Sequence, residues 1–449
     1  MKKLIETIRN IFSIEELRTR IFNTLLLLAV FRVGTFIRIP GIDAARLDAI
    51  NQGNPASGLL GLIDTFAGGA FERASVFALG IMPYISASIV IQLLTVAVPA
   101  FQKMSKEGED GRQRMNQITR YLTIAITAVQ AISFIINFKS QKGEVIMMDP
   151  GFMFMFTSVC VLVAGTMFTM WIGERITDRG LGNGISLIIM VGIISKLPHS
   201  LLAEFAHKMS NNGGPIIFIL EIVFWLLVIL SVILLVQGTR RIPVQYAKRI
   251  VGNRQFGGVR QYLPLKVNAA GVMPIIFAQA LMFIPSSVAG FFQDNDGLRN
   301  FFSGFVDFTS FTYNLVFFLM IVLFTYFYTA ITVNPNQIAD DLKRNGGFIP
   351  GVKPGRATAN FVDSVMSRIT LPGAIFLGFV SIFPAFAIIF GVNNQFAQFY
   401  GGTSLLIMVG VVLDTLQQVE SHLLMRHYDG LMKSGRIKGR TSTGGAIAG

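Results

Sequence analysis

Few residues in this chain have the types and spacing to do chemistry. The run GLGNGIS, Gly180 to Ser186, has the glycines of a phosphate-cradling loop and a serine with the makings of a nucleophile. A phosphate loop requires a strand before it and a G-x-x-x-x-G-K-[ST] pattern, and neither is present. A serine nucleophile requires a base, but His199, His207, His422 and His427 fall in connections or at the end of an apolar stretch. The run therefore reads as a turn opening a helix, with Asn183 capping free backbone N–H groups. Cys160 is the one cysteine, so neither a disulfide within the chain nor a Cys/His metal cluster is on offer. No H-E-x-x-H occurs. Ionisable residues within apolar stretches reduce to Arg32, Glu221 and Asp414. Each lies within about two turns of a stretch end, where a long side chain carries its charge out to the headgroups. Such placement weighs against an ion-coupled transporter, which needs a deep carboxylate.

The strongest chemical signal is charge. Arg240, Arg241, Lys248, Arg249, Arg254, Arg260 and Lys266 fall in one connection, 239–266, with no Asp or Glu among them. Short loops rich in Lys and Arg are retained on the cytoplasmic side of a bilayer. The same loop offers a cationic surface to an acidic or phosphate-bearing partner.

The elements that carry this loop are membrane spans. Of 449 residues, 52% are hydrophobic and 14% charged, with 40 Phe and 19 Met, and the mean hydropathy is +0.58. Windows of about 20 residues match a hydrocarbon core of roughly 30 Å. Ten stretches qualify: Ile21–Ile37, Ala74–Val98, Tyr121–Phe138, Phe152–Gly173, Leu181–Lys196, Pro215–Gly238, Val267–Phe292, Phe308–Val333, Ile369–Val392 and Thr403–Val419. The net charge of +13 does not mark a nucleic-acid binder, because most of the 38 Lys and Arg fall in alternate connections. That alternation predicts an even number of spans with both termini cytoplasmic. The amphipathic start, residues 1–20, carries no cleavage site and reads as a cytoplasmic segment rather than a removable signal.

Five spans (21–196) precede the connection 197–214, which reads as an exported hinge loop, and five (215–424) follow it. The tail 425–449 is cytoplasmic. An odd number per half means that related halves run in opposite directions, an arrangement that puts a pathway between them. Two connections are too long for turns. The segment 57–73 is apolar, punctuated by glycine and too short to span; it reads either as a re-entrant segment or as an interfacial helix. The connection 334–368 contains GGFIPGVKPGRAT, where Phe348, Ile349 and Val352 interleave with turn residues, as in a structured hairpin tip.

Five blocks carry a resemblance: FALGIMPYISASIVIQLLT (Phe77–Thr95), ERITDRGLGNGIS (Glu174–Ser186), LPLKVNAAGVMPIIFA (Leu263–Ala278), FIPGVKPG (Phe348–Gly355) and GGTSLLIMVGVVLD (Gly401–Asp414). In order and position they resemble bacterial SecY, the channel-subunit family of the protein-conducting Sec translocon. The resemblance covers nearly the whole chain. It implies an all-α membrane protein of ten transmembrane helices, in two inverted five-helix halves around a central pore. The implied function is to pass unfolded polypeptides across the bacterial cytoplasmic membrane and to release apolar segments sideways.

The resemblance also implies site residues. Ile81, Ile85, Ile189, Ile276 and Ile407 match the aliphatic pore ring, which excludes ions because water in a narrow apolar collar dewets. Leu59, Leu60, Ile63, Phe66, Gly68, Gly69 and Arg73 match the plug, within 57–73. Ser86, Ser88, Gln92 and Asn268 match the lateral gate between spans two and seven. Arg249, Arg254, Lys353 and Arg356 match the docking surface for the ribosome or the motor ATPase SecA. Two departures stand out: Lys353 replaces a usual Arg, losing its planar fork, and Asn253 stands where a second basic residue is common. The further implied partners are SecE, SecG, signal peptides, nascent chains and lipids. No cofactor, metal, direct nucleotide binding or catalytic residue is implied.

Overall fold

A computed structural model describes residues 14–53, 59–142, 145–146, 151–210, 214–246, 249–251, 254–256, 260–289 and 310–433. A helix lies in each of the ten apolar stretches. In order these are Glu15–Gly34, Met82–Ala97, Glu109–Lys142, Phe152–Arg179, Gly184–Ser210, Gly214–Gln237, Met273–Ala289, Phe311–Thr332, Arg356–Ile389 and Gly402–Lys433, here called the first to tenth spans. Seven helices among the described residues are long and apolar enough to cross a membrane as they stand.

The second span is the most altered from expectation. Its helix begins at Met82 rather than Ala74. Ser75 bridges to Arg38 and residues 76–81 form turns, Gly80 has a left-handed φ of 54°, and Pro83 suits the first helical turn, where no N–H is needed. At the other end Val98 is extended (φ −113°, ψ 120°), as the residue before a proline prefers. Pro99 then opens a short helix, Pro99–Lys106, bent by 100° from the span.

Several helices outrun their apolar stretches. The fourth continues to Arg179, the fifth to Ser210 and the tenth to Lys433, while the ninth starts at Arg356. Hydropathy marks where a helix meets hydrocarbon, not where its hydrogen bonding stops. Most of 197–214, read from sequence as a loop, is therefore the continuation of the fifth helix.

Neighbour relations repeat between the halves. The second span packs on the third, the third on the fourth and the fourth on the fifth; likewise the seventh packs on the eighth and the eighth on the ninth, with the ninth against the tenth. The first touches the fifth as the sixth touches the tenth, and the fifth packs against the tenth across the halves. The second and seventh spans meet only over a short stretch. The sixth span turns most of its surface outward: Ile216, Ile219, Leu220, Val223, Leu227 and Leu230 are exposed, the mark of a surface meant for lipid.

The basic connection holds structure that an all-helical reading omits. Strand β1 (Thr239–Tyr246) pairs antiparallel with β4 (Arg260–Lys266), and β2 (Arg249–Val251) with β3 (Arg254–Phe256). β1 also pairs with β5 (Gly347–Phe348) in the register Gln245 to Phe348, giving the order β4-β1-β5. Along β1 only Ile242 and Val244 are buried, so the arginines stay outside while alternate residues pack inward. Beneath them Leu265, Leu342, Ile349, Val362 and Met366 complete a small apolar cluster. The connections 239–266 and 334–368 thereby form one platform.

Candidate functional site

Four spans bring five isoleucines into one apolar cluster. Ile81, Ile85, Ile189 and Ile407 are buried members of the large apolar core, and half-buried Ile276 packs against that core. Ile81 caps the second span, and its carbonyl accepts the N–H of Ile85 at 3.1 Å. The two side chains therefore share a helix face. Ile276 is one turn into the seventh span, just after Pro274. Both halves of the chain contribute to this apolar core.

The segment after residue 58 folds back into the protein, which decides between its two sequence readings. The short helix Leu59–Phe66 ends with Phe66 buried in the same cluster as the five isoleucines. Gly192 of the fifth span permits this approach: a Cβ there would lie 2.5 Å from the Phe66 carbonyl oxygen. Gly68 takes φ 64° and Gly69 φ 86°, turning the chain away again. The side chains of Leu59, Leu60 and Ile63 lie outside the described residues.

Polar contacts hold this segment. Thr65 Oγ1 and Gln398 Oε1 lie 2.7 Å apart, and Arg32 Nη1 donates to the Gly68 carbonyl at 2.7 Å. Asp64, fully buried, pairs with Lys196 Nζ and accepts the Glu72 N–H at 2.8 Å. Lys196 Nζ is also 3.7 Å from Glu72 Oε2. Arg73 lies with its guanidinium 4.4 Å from the Phe36 ring centroid, a cation–π contact. Arg32 therefore turns inward to the backbone instead of out to headgroups, correcting the expectation of snorkelling.

Glu221 departs from that expectation too, whereas Asp414 is exposed. Lys208 Nζ lies 2.9 Å from Glu221 Oε1 and 3.6 Å from Glu204 Oε1, and donates to the Gly391 carbonyl at 2.8 Å. Glu204 Oε2 accepts the Asn393 N–H at 2.8 Å, and Tyr400 Oη donates to the Glu221 carbonyl at 2.8 Å. This cluster joins the fifth and sixth spans to the connection ahead of the tenth. Sequence reading missed it because Glu204 and Lys208 were assigned to a loop; their spacing of four on a helix was the available signal.

At the seam of the second and seventh spans, Ser86 Oγ donates to the Met82 carbonyl at 3.1 Å and Gln92 Nε2 to Ser88 Oγ at 3.3 Å. Both bonds stay within the second span. Asn268 is buried, and its Oδ1 has no hydrogen-bond partner among the described residues. GLGNGIS behaves as read: Asn183 Oδ1 accepts the N–H of Ile185 at 3.1 Å and of Ser186 at 3.4 Å. Its turn also receives Thr24 of the first span and Gln418 of the tenth, through the N–H groups of Leu181 (3.0 Å) and Gly182 (2.8 Å).

On the platform Lys353 and Arg356 are exposed, as are Arg240, Arg241, Lys343 and Arg344. The side chains of Arg249 and Arg254 lie outside the described residues, although their backbones sit in β2 and β3; Asn253 lies wholly outside them. The tip is ordered by Thr358 Oγ1, which donates to the Lys353 carbonyl at 2.9 Å.

Fold and site define a multi-pass helical membrane protein whose halves close on an aliphatic junction. The SecY family model matches residues 75–416, and the chain belongs to that family. A protein translocase subunit SecY of Halalkalibacterium halodurans is 43% identical over 436 residues, covering 96% of this chain and all of that one. The corresponding protein of Thermus thermophilus is 43% identical over 95% of this chain and 98% of its own length. Among solved structures, "The structure of a protein conducting channel" aligns with a TM-score of 0.62 at 18% identity, covering 94% of this chain and 95% of that chain. "Sec61 in the Canine ribosome-channel complex from the endoplasmic reticulum" aligns at 0.58 and 16% identity, again over 94% of this chain and 95% of that one.

Proposed function

We propose that this chain is a protein-conducting channel of a bacterial cytoplasmic membrane, passing unfolded polypeptides across and releasing apolar segments sideways. The observation that supports it is that Ile81, Ile85, Ile189, Ile276 and Ile407, drawn from four spans, share one apolar core with Phe66. Branched aliphatic side chains yield to a moving chain without binding it, and they keep out salt because a narrow apolar collar dewets. The segment 57–73 is the plug that seals one mouth. The seam lined by Ser86, Ser88, Gln92 and Asn268 is the lateral exit.

Both termini and the β4-β1-β5 platform face the cytoplasm, as the excess of Lys and Arg favours. The platform docks the ribosome or the SecA motor, which supplies the energy; Arg249, Arg254, Lys353 and Arg356 meet the acidic or phosphate groups of these partners. SecE and SecG complete the complex. The chain itself is not an enzyme.

The test is to arrest a secretory polypeptide in the purified, reconstituted complex with a photo-crosslinker in its translocating stretch. Adducts should concentrate at the five isoleucines and be missing from lipid-facing Ile219 and Leu227. Adducts spread evenly over both sets would overturn the reading.

A further inference from the structure

A translocation channel at rest has to keep its plug seated and still let it go. The described contacts of the segment 59–73 include apolar packing and polar ties. Phe66 contributes apolar packing, and the bond from Arg32 to the Gly68 carbonyl and the Thr65–Gln398 contact add polar ties. Neither kind brings together opposite formal charges. Asp64 and Lys196 do: a fully buried carboxylate on the segment meets an ammonium on the fifth span, with Glu72 3.7 Å from the same nitrogen. Asp64 has a second task, since its Oδ1 accepts the Glu72 N–H and its carbonyl the Gly69 N–H at 2.9 Å. The carboxylate thus shapes the turn and hands Lys196 a preformed partner.

We propose that Asp64 and Lys196, backed by Glu72, are an ionic latch that sets how firmly the plug stays seated. Removing one partner of a buried pair leaves an uncompensated charge and is costly, whereas separating both partners into water is far less so. A latch of this kind holds while the segment is in place and lets go as a unit once the halves part and water enters. Lys196 is a positioning residue: it touches the plug rather than the passing chain.

The inference rests on the plug reading, and the experiment separates the two. In the complete reconstituted complex, Thr65→Cys with Gln398→Cys reports seating, because those side chains already touch. Adding Lys196→Met should slow disulfide formation by about tenfold, while Lys196→Arg should restore it. Asp64→Asn keeps the acceptor for the Glu72 N–H and loses only the charge, so it should match Lys196→Met. Unchanged crosslinking in Lys196→Met and Asp64→Asn overturns the latch, as does failure of Lys196→Arg to rescue. Resting ion conductance is read alongside, with deletion of residues 59–66 as the reference. If the deletion conducts no more than the parent, the plug reading fails while the crosslinking still decides whether the pair holds the segment.

Discussion

Gly192 of the fifth span and Phe66 of the short helix meet backbone to backbone, so closely that a Cβ on Gly192 would stand 2.5 Å from the Phe66 oxygen. The position is also 3.0 Å, by its Cα, from where a Cβ of Gly68 would be. One position without a side chain, Gly192, is what lets an eight-residue helix pack this closely on the fifth span.

Gly192→Val should therefore unseat the segment. The overpacking is worth about 2 kcal/mol, enough to raise resting ion conductance of the reconstituted complex several-fold. Conductance equal to the parent, with the protein folded, would show that the contact is not needed for closure.

Polar substitution of the ring should act more directly. Replacing Ile81, Ile85 and Ile276 by Asn wets the collar, and ion conductance in planar bilayers should rise. A triple variant that stays as tight as the parent removes the ring from the account.

Charge reversal on the platform should separate docking from folding. Arg254→Glu and Lys353→Glu are each expected to reduce secretion in cells while the protein stays folded in the membrane, because both replace attraction to an acidic partner by repulsion. Normal export in both variants would rule out the docking role.

Tyr400 gives a pH-dependent prediction. Burial, then the Glu221 and Glu204 carboxylates, push its phenol above the ordinary tyrosine value. The folded state keeps a proton that the unfolded chain begins to lose near about pH 10. Stability from this group is thus complete below that pH and is lost as pH rises through the folded value. Tyr400→Phe loses the bond to the Glu221 carbonyl, about 1 kcal/mol, and should show a shallower alkaline loss of melting temperature than the parent. Parallel melting curves against pH for the two proteins would refute this.

Most of the ten spans were legible because they are apolar over the depth of a bilayer, seven of them in described helices long enough to cross it, and Asn183 was legible because a cap needs only a short polar side chain before a helix. The platform was less so. The alternation of Ile242 and Val244 with exposed neighbours is a strand signal, but the arginines around it drew attention to charge. Arg32 and Glu221 were misjudged for a different reason. Distance from a span end says how easily a charge reaches water, and nothing about a partner such as the Gly68 carbonyl or Lys208 waiting on another element. Likewise Asp64 and Lys196 are far apart in sequence and meet only through the fold.

The hydrogen bonds of Ser86 and Gln92, all made within their own helix, bear on what the seam selects. With no tie from these groups to the seventh span among the described residues, a segment leaving by the proposed exit breaks none of these bonds. Its choice between the interior and the bilayer is then a partition between two solvents, and the doorway reads oiliness rather than spelling.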